Sequence, residues 1–170
     1  RLSFSSQDLH NISLQWDAPQ SMSDPTNLSW SSGVRYYSTY YTGGDYKLYM
    51  MQRFCDTDLV AYNNKALTAI RFYADPNVTK YKAVVFKGGS YDGNYNPGSL
   101  VLMQDINLST LTTNAWNTVT LNTPVEVDIA QELWFGIYVE APENTPAIPM
   151  SADNAPTKGC IERYIYNGNI

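Results

Sequence analysis

Short runs of alternating apolar and polar residues, each closed by turn-forming residues, constrain the fold of this chain more than any other feature. A side-chain period of two is that of a β-strand, as in the run at residues 66–73. Similar runs occur along the chain at spacings of roughly 8–15 residues, at 48–54, 80–87, 100–106, 116–121, 125–129, 133–140, 148–151 and 160–166. Strands do not alternate with helices, so the pattern predicts an all-β fold rather than a parallel α/β sheet.

One short helix is predicted inside this pattern, at residues 56–64. Asp56 can cap the helix, and Asp58 suits the positive end of its dipole. Asn63 or Asn64 can end it in a left-handed conformation.

Glycine-rich segments predict two connections between strands. A turn at 43–45 predicts a hairpin within residues 34–51, and the Gly- and Asn-rich residues 88–98 predict a long loop. Trp116 and Trp134 fall inside strand patterns, so both are predicted to lie in the core.

The N-terminal segment is predicted to stand apart from the main sandwich. Ile12, Leu14 and Trp16 alternate with polar residues, which predicts a half-buried strand. The chain begins without Met or a signal peptide, so we expect a processed product or a part of a larger protein. The predicted division is residues 1–19 as a domain remnant or an added strand, 20–33 as a linker, and 34–170 as the sandwich.

Charge and the length of apolar stretches argue against nucleic acid and against the membrane interior as partners. The 170 residues carry 11 basic and 16 acidic side chains, with a net charge of −5 and no run of Lys or Arg. No nucleic acid is expected to bind, because neutralised phosphates supply most of such affinity. No apolar stretch approaches the ~18 residues of a bilayer span, so no membrane insertion is expected.

Two stretches of sequence resemble known modules. Residues 12–19 (Ile-Ser-Leu-Gln-Trp-Asp-Ala-Pro) resemble the early strand of fibronectin type III-like modules. Residues 48–168, through motifs such as 67–72 (Leu-Thr-Ala-Ile-Arg-Phe) and 132–136 (Glu-Leu-Trp-Phe-Gly), resemble jelly-roll accessory modules. These modules occur in large secreted or surface proteins of Gram-negative anaerobes, in gingipain/haemagglutinin-type adhesin regions. The resemblance implies a jelly-roll β-sandwich of two antiparallel sheets that serves binding or adhesion, with no fixed site motif.

The two cysteines allow two interpretations. Cys55 and Cys160 lie near opposite ends of the predicted sandwich sequence. The first and last strands of a jelly roll often lie side by side, so a disulfide between them is geometrically feasible. The alternative is a pair of buried free thiols.

The chain offers little material for a catalytic site. His10 is the only histidine and lies in the N-terminal segment, so a Ser–His or Cys–His pair would depend on it. One histidine and two distant cysteines also argue against zinc, and no phosphate-binding fingerprint is present. We therefore expect no enzymatic activity and no required cofactor.

Oxygen-bearing residues raise the question of a structural calcium. Three of them stand at alternate positions: Asp92, Asn94 and Asn96. Such hard oxygens can wrap Ca²⁺, but Pro97 replaces the glycine of a calcium loop and Met103 its bidentate glutamate. The alternative is a hairpin loop in which these residues form turns. Asp153 and Asn154 pose the same choice.

Tyrosine supplies the predicted ligand contacts. Ring faces pack against sugar C–H groups while polar neighbours bind hydroxyls. The candidate contact residues are Tyr36, Tyr37, Tyr40, Tyr41, Tyr91 and Tyr95. The alternative is that these rings pack between linker and sandwich or lie on the sheet surface without a ligand.

Three functions stay open at the level of sequence. The favoured one is a non-catalytic binding or adhesion module at the bacterial cell surface, with neighbouring domains in the same polypeptide and a glycan or host protein as ligand. The second is a structural spacer that supports a neighbouring enzyme or anchor domain, which predicts only buried rings. The third is a carbohydrate-active enzyme module, which predicts a cleft with facing carboxylates.

Overall fold

The computed structural model describes residues 2–3, 15–16, 27–30, 35–151 and 160–165. Its strands are β1 (Leu2–Ser3), β2 (Gln15–Trp16), β3 (Arg35–Thr39), β4 (Tyr46–Phe54), β5 (Ala66–Ala74), β6 (Lys80–Tyr91), β7 (Tyr95–Ile106), β8 (Ala115–Glu126), β9 (Leu133–Ala141), β10 (Ile148–Ser151) and β11 (Cys160–Ile165). A short helix α1 (Asp56–Leu59) and two 3-10 turns (Val60–Tyr62 and Leu108–Thr110) complete the described elements.

The strands form a sandwich in which the chain passes repeatedly between two antiparallel sheets. The larger sheet has the order β11-β4-β9-β6-β7, and β5 pairs with β8 in the smaller one. After β4 the chain enters the smaller sheet at β5, returns for β6 and β7, enters it again at β8 and returns at β9. This alternation confirms the predicted jelly-roll β-sandwich with one short helix.

The core lies between the two sheets. Alternate residues of the larger sheet are fully buried, as the period of two requires, and pack against Ile70 and Phe72 of β5 and Leu121 of β8. Full burial of such a side chain contributes about 1.5–3 kcal/mol. The largest contributors from the larger sheet are Tyr46, Leu48, Phe54, Tyr81, Val85, Leu133 and Val139.

One side-chain amide joins the two sheets at an edge. Gln104 of β7 donates from Nε2 to the carbonyl oxygen of Thr120 at 3.0 Å. Its Oε1 accepts from the backbone N–H of Asn122 at 2.7 Å. The amide thus makes to β8 the two bonds that a neighbouring strand would make, and it covers part of the exposed edge of β7.

The predicted hairpin within residues 34–51 is wrong. β3 pairs with β10, in a register that sets Thr39 opposite Ile148. β4 already uses both of its edges, one for β9 and one for β11, so no edge remains for β3. The predicted turn is nevertheless present, with Gly43 at φ 102° and Gly44 at φ 135°.

The predicted long loop at 88–98 is also wrong, because β6 and β7 extend through it as a paired hairpin. Gly88 lies opposite Gly98 and Tyr91 opposite Tyr95. A Cβ on Gly89 would lie 2.8 Å from Trp134 Nε1, and one on Gly98 would lie 2.6 Å from the backbone of β6. The glycines therefore permit close approach within paired strands rather than marking a loop.

The short helix begins at Asp56, as predicted, but Cys55 rather than Asp56 caps it, and it ends at Leu59 before a 3-10 turn. Cys55 occupies the N-cap position, and Asp58 Oδ2 accepts from its backbone N–H at 2.9 Å. The predicted cap Asp56 instead accepts from the N–H of Thr57 at 2.8 Å. Asn64, at φ 61°, adopts the predicted left-handed conformation.

Part of the predicted linker packs on the sandwich. The indole of Trp30 stacks on Phe54 with ring centroids 5.1 Å apart, and its Nε1 donates to the carbonyl oxygen of Arg53 at 2.8 Å. Tyr62 donates to the carbonyl oxygen of Asn27 at 3.0 Å. Residues 27–30 thus pack against the sandwich. The contact costs the Trp30 indole no hydrogen bond, because its N–H donates to a backbone carbonyl oxygen.

The N-terminal strand is described only in part. Its residues Gln15–Trp16 form β2, which pairs with β1 rather than with a strand of the two main sheets. His10, Asp153 and Asn154 lie outside the described residues.

A cluster of charges around Glu140 supports a pH prediction. Burial acts to raise the pKa of Glu140, but hydrogen bonds from Tyr138 (2.9 Å) and Lys80 (3.1 Å) and the charge of Lys47 outweigh it, and the pKa is lowered. A carboxyl whose pKa is lower in the folded state stabilises the fold above its unfolded pKa of about 4.3, and this contribution is lost as pH falls further.

We therefore expect Glu140→Gln to lower the thermal midpoint at pH 7 and to converge on the parent protein near pH 3. The neutral amide cannot attract the lysines, and the difference at pH 7 should stay below about 1 kcal/mol because the group is partly solvated. Thermal melts at both pH values measure it. An equal difference at pH 7 and pH 3 would contradict the assignment.

Candidate binding surface

The six predicted tyrosines lie at opposite ends of the sandwich. Tyr41 packs edge-on against Tyr46 at the start of β4, with ring centroids 5.4 Å apart. Tyr91 and Tyr95 lie beyond Lys87, which aligns through β9 with Phe54 at the other end of β4. The length of β4 separates the two groups by roughly 25 Å. The structure therefore does not bring the six residues together in one surface.

The first group surrounds the pair formed by β3 and β10. Tyr37 and Tyr40 are 49% and 47% exposed, and Tyr36 is described only as a backbone position in β3. Ser38 donates to the carboxylate of buried Asp75 at 2.8 Å, which ties β3 to the end of β5. Among the described residues, this group therefore presents two exposed rings, those of Tyr37 and Tyr40.

The second group forms what we call the hairpin-end surface, built from Arg53, Tyr91, Tyr95, Glu132 and Trp134. The rings of Tyr91 and Tyr95 are half-buried and lie 4.8 Å apart across the hairpin. Tyr95 meets the fully buried Trp134 edge-on at 6.4 Å. The guanidinium carbon of Arg53 lies 5.6 Å from the Tyr91 ring centroid and 5.9 Å from that of Trp134.

A nearly buried ion pair holds these rings in place. Arg53 Nε donates to Glu132 Oε2 at 2.8 Å, and a second guanidinium nitrogen donates to Oε1. Trp134 Nε1 also donates to Oε2, at 2.8 Å. The hydrogen bond to Glu132 raises the pKa of Arg53, so the guanidinium stays charged. The bidentate geometry makes this a rigid support for Tyr91.

A polar cleft of about 570 Å³ opens beside the ion pair. It is lined by Asp56, Gly88, Gly89, Ile129, Ala130, Gln131 and Glu132. Gln131 Nε2 donates to Asp128 at 2.6 Å, and hydrogen bonds from Gln131 and from the N–H of Ala130 lower the pKa of Asp128. Carboxylate, amide and open glycine backbone at one surface can bind several hydroxyl groups.

The calcium candidates form turns. Asp92 Oδ1 accepts from the N–H of Asn94, and Asn96 Oδ1 accepts from that of Gly98, both at 3.0 Å. These Asx turns account for the residue types at the hairpin tip. Among the residues that the structure describes, no group of three or more His, Cys, Asp or Glu could hold a metal ion.

The possible Cys55–Cys160 disulfide is not formed, because Cys55 is a free thiol. Its Sγ lies 3.0 Å from Asp58 Oδ2 and 3.1 Å from Thr57 Oγ1. Cys160 pairs with Gln52, three strand positions from Cys55 and thus roughly 10 Å away along β4. A disulfide requires Cα atoms within about 7 Å.

The two predicted core tryptophans have different environments. Trp134 is fully buried, as predicted, but on the outer face of the larger sheet, where it joins a second cluster with Tyr49, Val84 and Phe86. Trp116 is only half-buried and lies on the outer face of the smaller sheet. Alternation identifies a strand but does not say which face is covered.

Sequence reasoning missed Arg53 and Glu132 as site residues. They stand 79 positions apart, and neither departs from its strand or turn pattern. No local signal could have paired them, because their contact depends on β4 and β9 being neighbours.

Fold and surface together define a β-sandwich domain with a pair of tyrosine rings and a polar cleft at one end. Comparison of the chain with protein-family models, with curated proteins and with solved structures finds no match. In the described part of the chain, no helix has the length and apolarity needed to cross a bilayer.

Proposed function

We propose that this chain is a non-catalytic binding module of a multidomain bacterial surface protein, and that it binds glycan through the hairpin-end surface. The observation that carries this proposal is the paired rings of Tyr91 and Tyr95 beside a polar cleft. Aromatic faces pack against the C–H groups of sugars, and the cleft offers the hydroxyl partners that orient them.

Preorganisation supports the same proposal. Tyr91 is held from one side by Tyr95 and from another by Arg53, which is itself fixed by Glu132. A ring that is already ordered loses little conformational entropy when a ligand binds. The glycine backbone at 88–89 also leaves the cleft open to a polar ligand.

The two alternatives are less favoured. A pure spacer predicts only buried rings, whereas Tyr37 and Tyr40 are about half exposed. A glycosidase requires two carboxyl groups free to exchange protons and attack the sugar. Both oxygens of Glu132 in the cleft already accept hydrogen bonds from Arg53 and Trp134.

Alanine substitution of the paired tyrosines tests the proposal. A glycan array and a panel of host matrix proteins identify the ligand of the intact chain, and calorimetric titration measures its affinity. Tyr91→Ala and Tyr95→Ala should each weaken binding about tenfold or more, as expected at a contact hot spot.

Tyr40→Ala is the matched control, since it removes an exposed ring at the opposite end of the sandwich and should leave the affinity unchanged. If no glycan binds above background, or if only Tyr40→Ala weakens binding, the proposed site is wrong. In the first case the spacer function would be preferred.

A further inference from the structure

The outer face of the smaller sheet carries a second group of side chains, of which Arg71 and Thr118 are exposed and Tyr73 and Trp116 are half-buried. Tyr73 of β5 lies opposite Trp116 of β8, and Arg71 lies opposite Thr118. The residues that alternate with Arg71 and Tyr73 on β5 are buried in the core, so these four side chains lie on the outer face. We call this group the Trp116 face.

Arg71 is held on this face without a carboxylate partner in the described part of the chain. Its guanidinium carbon lies 4.8 Å from the ring centroid of Trp116, and the side chain is exposed. Arg53, by contrast, is bonded to Glu132. In a chain with a net charge of −5, an exposed arginine that forms no ion pair among the described residues is a ready receptor for a carboxylate from outside.

Beside Arg71, the aromatic rings of Trp116 and Tyr73 offer a contact surface for the ring of a sugar that carries the carboxylate. Contact with Trp116 at 4.8 Å positions the guanidinium, and its planar fork of N–H donors suits a bidentate carboxylate. Tyr73 meets Trp116 edge-on, at 5.9 Å and 85°, and the two rings form a corner for the C–H face of a sugar. The exposed hydroxyl of Thr118 can bind a sugar hydroxyl.

We propose that the Trp116 face binds the carboxylate-bearing sugars of acidic glycans, namely uronates or sialates. Arg71 takes the carboxylate, Trp116 and Tyr73 take the ring, and Thr118 takes a hydroxyl. The site lies on a different sheet from the hairpin-end surface, so it stands or fails independently of the function proposed above.

An acidic peptide would satisfy only part of this surface. It supplies a carboxylate, but extended peptides bind by pairing with a sheet edge, and these residues lie on a sheet face. A peptide therefore gains no backbone pairing here, whereas a pyranose ring fits the aromatic corner.

The experiment compares acidic sugars with counterparts in which the carboxylate is neutralised as its methyl ester. Oligogalacturonate is titrated beside its fully methyl-esterified form, and sialyllactose beside its sialate methyl ester. The acidic member of at least one pair should bind the intact chain more tightly than its neutral counterpart. Arg71→Gln should weaken that binding about tenfold or more and should abolish the difference.

Lys65→Gln provides the matched control. Lys65 also lies over an aromatic ring, with Nζ 5.7 Å from the Tyr62 centroid, so its replacement removes the same charge from another place. It should leave the affinity unchanged. Thermal melts of each variant establish that the fold is intact.

Three results would overturn the proposal. The first is equal binding of acidic and neutral sugars, which removes the role of Arg71. The second is an equal loss in Lys65→Gln and Arg71→Gln, which indicates unspecific attraction. The third is poly-glutamate binding as tightly as the acidic sugars, which would assign the surface to acidic peptides.

Discussion

Replacing Gly136 with alanine should destabilise the sandwich by about 3 kcal/mol or more, which lowers the thermal midpoint by about 6–12 °C. Gly136 lies in β9, between Met51 of β4 and Val84 of β6. A Cβ there would lie 2.8 Å from Met51 Cα and 2.9 Å from the carbonyl carbon of Met50. Backbone cannot yield as a flexible side chain does, so β4 and β9 must separate.

The same glycine makes room on the outer face of the larger sheet. The rings of Tyr49 and Phe86 meet edge-on above it, 5.7 Å apart at 87°. Their strand positions lie on either side of the row that contains Gly136. An added methyl group therefore disturbs both the pairing of the strands and the aromatic cluster over them.

Gly93→Ala is the control for this prediction. Gly93 lies at the hairpin tip with φ 111°, and a Cβ there would meet nothing within 4 Å. Its replacement costs only backbone strain, about 1–2 kcal/mol. Chemical denaturation of both variants gives the comparison, and a Gly136→Ala variant as stable as Gly93→Ala would refute the steric argument.

Glu132→Ala should cost about 3–5 kcal/mol, because it leaves a buried charge without its partner. The side chains of Arg53 and Glu132 are only 10% and 16% exposed. Removing the carboxylate takes the hydrogen-bond acceptor away from the Arg53 guanidinium and from the N–H of Trp134. Urea denaturation at neutral pH measures the loss.

An exposed ion pair supplies the control. Lys82 and Asp105 are 3.1 Å apart, but Asp105 is 80% exposed. Asp105→Ala should therefore cost no more than about 1 kcal/mol. The double variant Arg53→Met with Glu132→Leu should recover most of the lost stability, since no charge is then left buried. Equal losses in Glu132→Ala and Asp105→Ala would show that burial does not control the effect.

The ion pair also connects stability to binding. Arg53 supports Tyr91 from below, so the double variant should fold well and yet bind glycan weakly. This separation of stability from affinity would assign the pair a positioning role at the hairpin-end surface.

Local patterns in the sequence determined the elements of this fold. The run at 133–140 became β9 (Leu133–Ala141) and that at 66–73 became β5 (Ala66–Ala74), because alternation reports the period of a strand wherever one face is buried. The left-handed Asn64 was equally predictable, because its conformation depends on its own side chain and backbone.

Tertiary structure decided which of those elements pack against each other and which side chains they bring together in a site. Gly89 resembles a loop residue until Trp134 is placed against it, and Trp116 resembles a core residue until it is found half-buried on the outer face of the smaller sheet. The pairing of Arg53 with Glu132 depends on two strands distant in sequence. The reason is physical: a residue's type records its local backbone preference, whereas a site depends on which faces and strands the whole packing brings together.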